Sequence, residues 1–247
     1  MTLSGDRVSE ALTGYWRIVC ALTLAALLAA CGLIDETPTY RYRLAVEVDT
    51  PQGLKTGSSV IEVDTHRNET SWNPQARGLW HKVRGEAAAV DLGEGRVLFA
   101  LLRSEESVDW AANILFWTTP YAVEGEDRYV ATYDRMLARE EAVELPADLA
   151  AFVPGSEMSA RPMLVTFRDL ADPTSVELVD SENLAASFGE GFALRRITVQ
   201  LTDDPVTEGI EDRLAWLGQL SGMGLEAEDF PENVPVGNFS GYFRSGW

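Results

Sequence analysis

The chain has 247 residues, with 20 basic against 39 acidic side chains and a formal charge of −19 at neutral pH. That balance excludes a nucleic-acid binder, whose affinity comes mostly from neutralising phosphates, and it opposes a domain that lies flat on an anionic membrane. It favours solubility and a basic partner.

The first stretch is a basic flank, Arg7 and Arg17, followed by an uncharged run of 13 residues from Ile18 to Ala30. A membrane-spanning helix needs about 20 apolar residues. A secretory signal peptide needs only a basic start, about 7–15 apolar residues and small residues before the cut. Here the run ends in Leu28-Ala29-Ala30-Cys31, which resembles the lipobox of bacterial lipoproteins. The resemblance implies that residues 1–30 are a signal peptide that is removed. It also implies that the Cys31 thiol takes a diacylglycerol, that the freed amine takes an acyl chain such as palmitate, and that Cys31 anchors the protein to the membrane. Gly32 in place of aspartate implies, by the same resemblance, the outer membrane over the inner, with the chain facing the periplasm. Cys20 would leave with the signal and Cys31 would be blocked, so no thiol remains for a disulfide, a nucleophile or a metal site. Residues 31–39 then form a short tether, and the eight from Gly32 to Thr39 reach at most about 28 Å.

Tyr40–Thr50 alternates Tyr40, Tyr42, Leu44, Val46 and Val48 with Arg41, Arg43, Glu47 and Asp49, the period of a half-buried strand. Pro51-Gln52-Gly53 turns it into a second strand, Gly57–Thr65, whose Gly57-Ser58-Ser59 start suits close backbone packing. His66–Pro74 reads as a polar loop holding Trp72, and Gly78–Val83 as a short strand. Glu86–Leu92 and Arg96–Leu102 flank Gly93-Glu94-Gly95, a second hairpin. Ser107 suits the cap of a helix carrying Ala111, Ala112 and Leu115, which Pro120 stops. Arg128–Arg139 places Tyr129, Tyr133, Met136 and Leu137 on one helical face. Residues 145–162, rich in proline, alanine and glycine, mark a candidate sub-domain boundary. Met163–Arg168 and Ser175–Val179 form a third hairpin, a short helix ends at Gly189, and Phe192–Thr202 returns to strand. Asp204 as cap and Pro205 as first residue predict a last helix to Ser221, with Val206, Ile210, Leu214 and Leu217 as its stripe. Residues 223–247 read as an acidic and aromatic tail. The sum is an α+β domain over 40–222, with a largely antiparallel sheet built from hairpins and about three or four helices.

Arg41-Tyr42-Arg43-Leu44, Gly57–Val63, Val165–Asp169 and Asp204–Thr207 resemble segments of an uncharacterised family of secreted or lipid-anchored proteobacterial proteins. The resemblance implies a location and brings no activity with it.

No chemistry-bearing constellation stands out. His66 and His81 lack the spacing of metal ligands, Gly57-Ser58-Ser59 lacks the second glycine of a nucleophile elbow, and Gly189-Glu190-Gly191 lacks the third glycine of a phosphate cradle. The sequence therefore predicts neither catalytic nor metal residues and no cofactor. Pairs such as Glu140-Glu141 and Asp203-Asp204 read as solvated loops. Trp72, in a polar loop, and Trp247, at the chain end, are candidate interaction residues. The expectation is a periplasm-facing, lipid-anchored binding or structural module of the cell envelope, with the membrane as one partner and an envelope protein as another. A carboxylate-based hydrolase and a small-ligand receptor with an aromatic pocket are the alternatives.

Overall fold

The computed structural model describes residues 37–68, 78–122, 128–220, 230–231, 234–235 and 237–246. In chain order the strands are β1 (Tyr40–Thr50), β2 (Gly53–Asn68), β3 (Gly78–Glu86), β4 (Ala88–Gly93) and β5 (Arg96–Ala100). Helices α1 (Trp110–Trp117) and α2 (Arg128–Leu137) follow, then β6 (Val143–Glu144), β7 (Leu164–Phe167), β8 (Val176–Leu178), α3 (Leu184–Phe188) and β9 (Ala193–Leu201). Two single-turn helices, α4 (Leu217–Leu220) and α5 (Phe239–Phe243), precede β10 (Arg244–Ser245). The class is α+β, and α1 and α2, of 8 and 10 residues, are the longer helices.

The strands form two antiparallel sheets, one of six in the order β10-β3-β2-β1-β9-β6 and one of four in the order β4-β5-β7-β8. The three hairpins expected from the sequence are all present, as β1–β2, β4–β5 and β7–β8. β1 lies inside the larger sheet with Tyr42 opposite Ile61 on one side and Leu201 on the other. Its burial alternates along its whole length, so Tyr40 to Val48 face inward and Arg41 to Asp49 outward. That two-residue period is the one the sequence displays.

Three layers result. The inward face of the six-stranded sheet meets one face of the smaller sheet, through Val90, Leu98, Ala100 and Leu164, with α1 and α2 completing this first core. The opposite face of the smaller sheet, Val97, Phe99, Val165 and Phe167, is covered by Ile210, Leu214, Trp216 and Phe243. A sheet buried on both faces reads as a continuous apolar run, which is why β5 and β7 show little alternation. The aromatic residues near the end of the chain, Phe239, Tyr242 and Phe243, belong to this second core, and Ser245 pairs with Gly85. Leu145, Leu149 and Ala160, from the candidate boundary at 145–162, sit in the first core. Thr39–Trp247 forms one compact unit.

One predicted element is corrected. Residues 204–221 do not make a continuous helix: a 3-10 turn at Ile210–Asp212 and α4 are all that forms among the described residues. Gly209 takes φ +121, which breaks any helix there. Asp204 accepts from Thr202 Oγ1 at 2.9 Å and pairs with Arg43 instead of capping. Thr207 then lies against β2, its Oγ1 accepting from Val60 N at 2.8 Å and its N donating to Val60 O at 3.1 Å. The apolar positions were read correctly, since Val206, Ile210, Leu214 and Leu217 are buried. Val206 is buried from an extended strap, and the other three from the short turns that follow it.

Candidate functional site

Two surfaces of the domain gather charged and polar side chains among the described residues. The first is an open cleft of about 680 Å3 where β1 begins and β9 and α2 end, lined by Tyr40, Arg41, Glu62, Arg139, Glu140 and Asp203, with Thr39 and Thr202 beside them. Tyr40, at the start of β1, lies in its wall, and Tyr42 follows it inward on the same strand face. Tyr40 Oη donates to Ala112 O at 3.2 Å and Tyr42 Oη to Ala111 O at 2.7 Å, so both hydroxyls pin α1 across the sheet. Burial raises the pKa of both phenols above the ordinary value of 10.0.

Arg139 closes the cleft from the side of α2. Its Nη1 donates to Thr118 O at 3.0 Å and its Nη2 to Leu115 O at 3.3 Å, which places a cation on the carbonyl end of α1. Such a charge complements the helix dipole and satisfies carbonyls that have no intrahelical partner. Burial lowers the pKa of the guanidinium. Across the cleft, Arg41 Nε meets Glu62 Oε2 at 2.7 Å, and Arg84 Nε lies 3.7 Å from the other oxygen of the same carboxylate. The lining therefore offers guanidinium, carboxylate and hydroxyl groups to a polar ligand, and Tyr40 is the one aromatic among the lining residues.

The second surface is the outward face of the six-stranded sheet. Because β1 and its neighbours alternate in register, charged side chains meet across strands. Glu47 pairs with Arg196 at 2.6 Å, Asp49 accepts two bonds from Arg195 Nε and one from Nη2, and Arg43 pairs with Asp204. Asp64 stands opposite Lys82, and His66 lies 2.9 Å from Asp64. Glu144 stands opposite Thr198 at the far edge. Exposed cross-strand pairs of this kind are each worth roughly 0.2–1 kcal/mol.

A buried carboxylate lies beneath the strap. Glu86 is 3% exposed, and its Oε2 accepts from Ile210 N at 2.8 Å. Burial raises its pKa, against the opposing pull of the Ile210 and Gly209 backbone bonds and of Arg244. Its partners are backbone N–H groups, so its evident task is to hold the strap on β3. The Glu208 carboxylate adds to the upward push of burial.

Of the residues singled out from sequence, Cys31, Trp72 and Trp247 lie outside the described residues. His66 is exposed beside Asp64, and His81 Nδ1 is 3.1 Å from Thr65 Oγ1, with burial lowering its pKa. Ser58 is exposed and accepts from Arg43 Nη1 at 3.3 Å. Ser59 is fully buried, and its hydroxyl finds no hydrogen-bond partner. Trp110 and Trp216 are core residues that donate to Ala160 O and Leu170 O. Glu140 and Asp203, read as loop acids, come together at the cleft. Arg139 was missed. It carries no local signal, because its role depends on two carbonyls more than twenty positions earlier in the chain.

No protein-family model, curated protein or solved structure matches the chain.

Proposed function

We propose that this is a lipid-anchored, periplasm-facing protein of the cell envelope whose α+β domain works as a binding module. The observation that carries the reading is the order Leu28-Ala29-Ala30-Cys31 after an uncharged run of 13 residues, a length suited to a cleaved signal and short for a membrane span. The polar cleft at the start of β1 supports a binding role. It presents charges of both signs on rigid strand and helix ends. Tethering strengthens such a role, because it turns a weak contact into one at high effective concentration.

The test is Cys31→Ser in the native bacterium. The wild-type protein is expected in the membrane fraction with metabolic palmitate label, and the variant is expected unlabelled and free of the membrane. A variant that stays membrane-bound while the wild type remains unprocessed contradicts the reading.

A further inference from the structure

The charge of this chain is segregated. With Asp64, Lys82 and Glu144 added to the ion pairs of β1, β2, β3 and β9, the open face of the six-stranded sheet holds six basic and six acidic side chains among the described residues. At its β10 edge Arg244 stands opposite the buried Glu86 and pairs with Glu211, which leaves the face within one charge of neutral, while the chain as a whole carries −19. Nearly all of the excess negative charge therefore belongs to the rest of the chain. Two of the four large apolar side chains exposed among the described residues lie on the same face, Trp80 at 58% and Leu54 at 47% exposure. Trp80 is two positions from Lys82 on β3, so an amphipathic ring stands beside a cation, the pairing that suits a membrane interface. β1, an inner strand of this sheet, begins at Tyr40, and eight residues separate Cys31 from it.

We propose that the open face of the six-stranded sheet is the side this domain turns toward an anionic phospholipid surface. The proposal rests on the tethering reading above. A negative surface potential repels the acidic parts of the molecule, whereas on a face whose charge balances the attraction of its basic side chains offsets the repulsion of its acidic ones. The overall charge resists membrane contact, as composition alone implies. Segregation then decides the orientation once a short tether forces proximity. The face is close to neutral and not cationic, so an untethered domain does not bind the same surface.

Amine footprinting of the lipidated full protein tests this, because Lys55 and Lys82 are its only lysines. The protein carries Ala171→Lys as an off-face reporter, at an exposed position in the loop between β7 and β8. It is reconstituted in vesicles of phosphatidylethanolamine and phosphatidylglycerol, acetylated, and compared with the same protein in detergent. Lys82 is expected to react several-fold more slowly on the vesicles than in detergent, while the introduced amine reacts at its detergent rate. In phosphatidylcholine vesicles the protection of Lys82 is expected to vanish. Equal rates for Lys82 in vesicles and detergent, protection of the introduced amine instead, or undiminished protection on phosphatidylcholine each overturn the proposal. Sedimentation of the same samples separates the two readings. Protein that fails to sediment overturns both, and protein that sediments with Lys82 freely reactive overturns this one alone.

Discussion

Replacing Gly57 by alanine probes a close approach between the two sheets. A Cβ built at Gly57 lies 2.1 Å from Ala89 O, 2.6 Å from Ala89 C and 2.9 Å from Val90 N. All three atoms are backbone, so no side chain can swing aside. Gly57 does not need glycine for its backbone angles, and the requirement is purely steric. Ordinary carbon–oxygen contact is more than an ångström longer, so β2 and β4 must separate and open the first core where Val46 and Val90 pack. Overpacking costs about 1–3 kcal/mol, occasionally more, and a clash between two backbones belongs at the upper end. A gain of about 0.4–1 kcal/mol from the stiffer unfolded chain offsets part of it. The expected net loss is about 2–3 kcal/mol, a fall in melting temperature of about 4–12 °C for a domain of this size. Guanidinium and thermal unfolding followed by tryptophan fluorescence read it directly, with Ser58→Ala, at the exposed neighbour, as a control within about 0.5 kcal/mol of wild type. A Gly57→Ala variant as stable as that control refutes the close approach of the sheets.

Other substitutions separate the effects of burial. Ser59→Ala removes a fully buried hydroxyl that has no partner, so stability is expected to rise by about 1 kcal/mol, the opposite sign to its neighbour two residues away; a loss above 1 kcal/mol in urea unfolding contradicts it. Glu86→Ala strands the Ile210 and Gly209 N–H groups that the carboxylate accepts from, costing about 1–3 kcal/mol, while Glu86→Gln keeps an acceptor and costs less. Because the folded-state pKa of Glu86 is raised above its ordinary 4.5, its ionised form weighs against folding at neutral pH. That handicap lifts as pH falls from above the folded pKa to 4.5, so wild type should gain on Glu86→Gln over that interval; a flat difference between pH 7 and 4 tells against a buried carboxylate. Tyr40 and Tyr42 have raised pKa values as well, so the unfolded chain releases their protons first and stability falls as pH rises through 10. Each contributes a slope of about 1.4 kcal/mol per pH unit, and the double Phe variant should show a shallower alkaline decline in circular dichroism.

Much of the fold was legible because its strands obey local rules. The alternation of β1 with the Pro51-Gln52-Gly53 turn encodes one hairpin and the Gly93-Glu94-Gly95 turn another, and both are present. α2 was equally clear, since Tyr133 and Met136 repeat at helical spacing and are buried. The strap at 204–210 was misread because helical spacing and a cap-like Asp204-Pro205 agree with a helix locally. Its conformation is decided by β2 and Glu86, which lie far away in sequence. The second core escaped for the same reason: near the end of the chain Phe239 stacks on Trp216, and Phe243 packs edge-on against Trp216 and tilted against Phe167, contacts that no window of sequence displays. The cleft was invisible too. Arg41, Glu62, Arg139 and Asp203 come from four separate segments, and each taken alone is an ordinary surface charge. Charge segregation likewise follows from strand register, whereas composition reports only the total of −19.

The most direct test of the tethered-module account is intact mass spectrometry of the protein extracted from native envelopes. The account predicts a chain that begins at Cys31, carrying the mass of a thioether-linked diacylglycerol with or without one further acyl chain on the amine. A chain that retains residues 1–30, or that begins at Cys31 or beyond with no lipid, contradicts it.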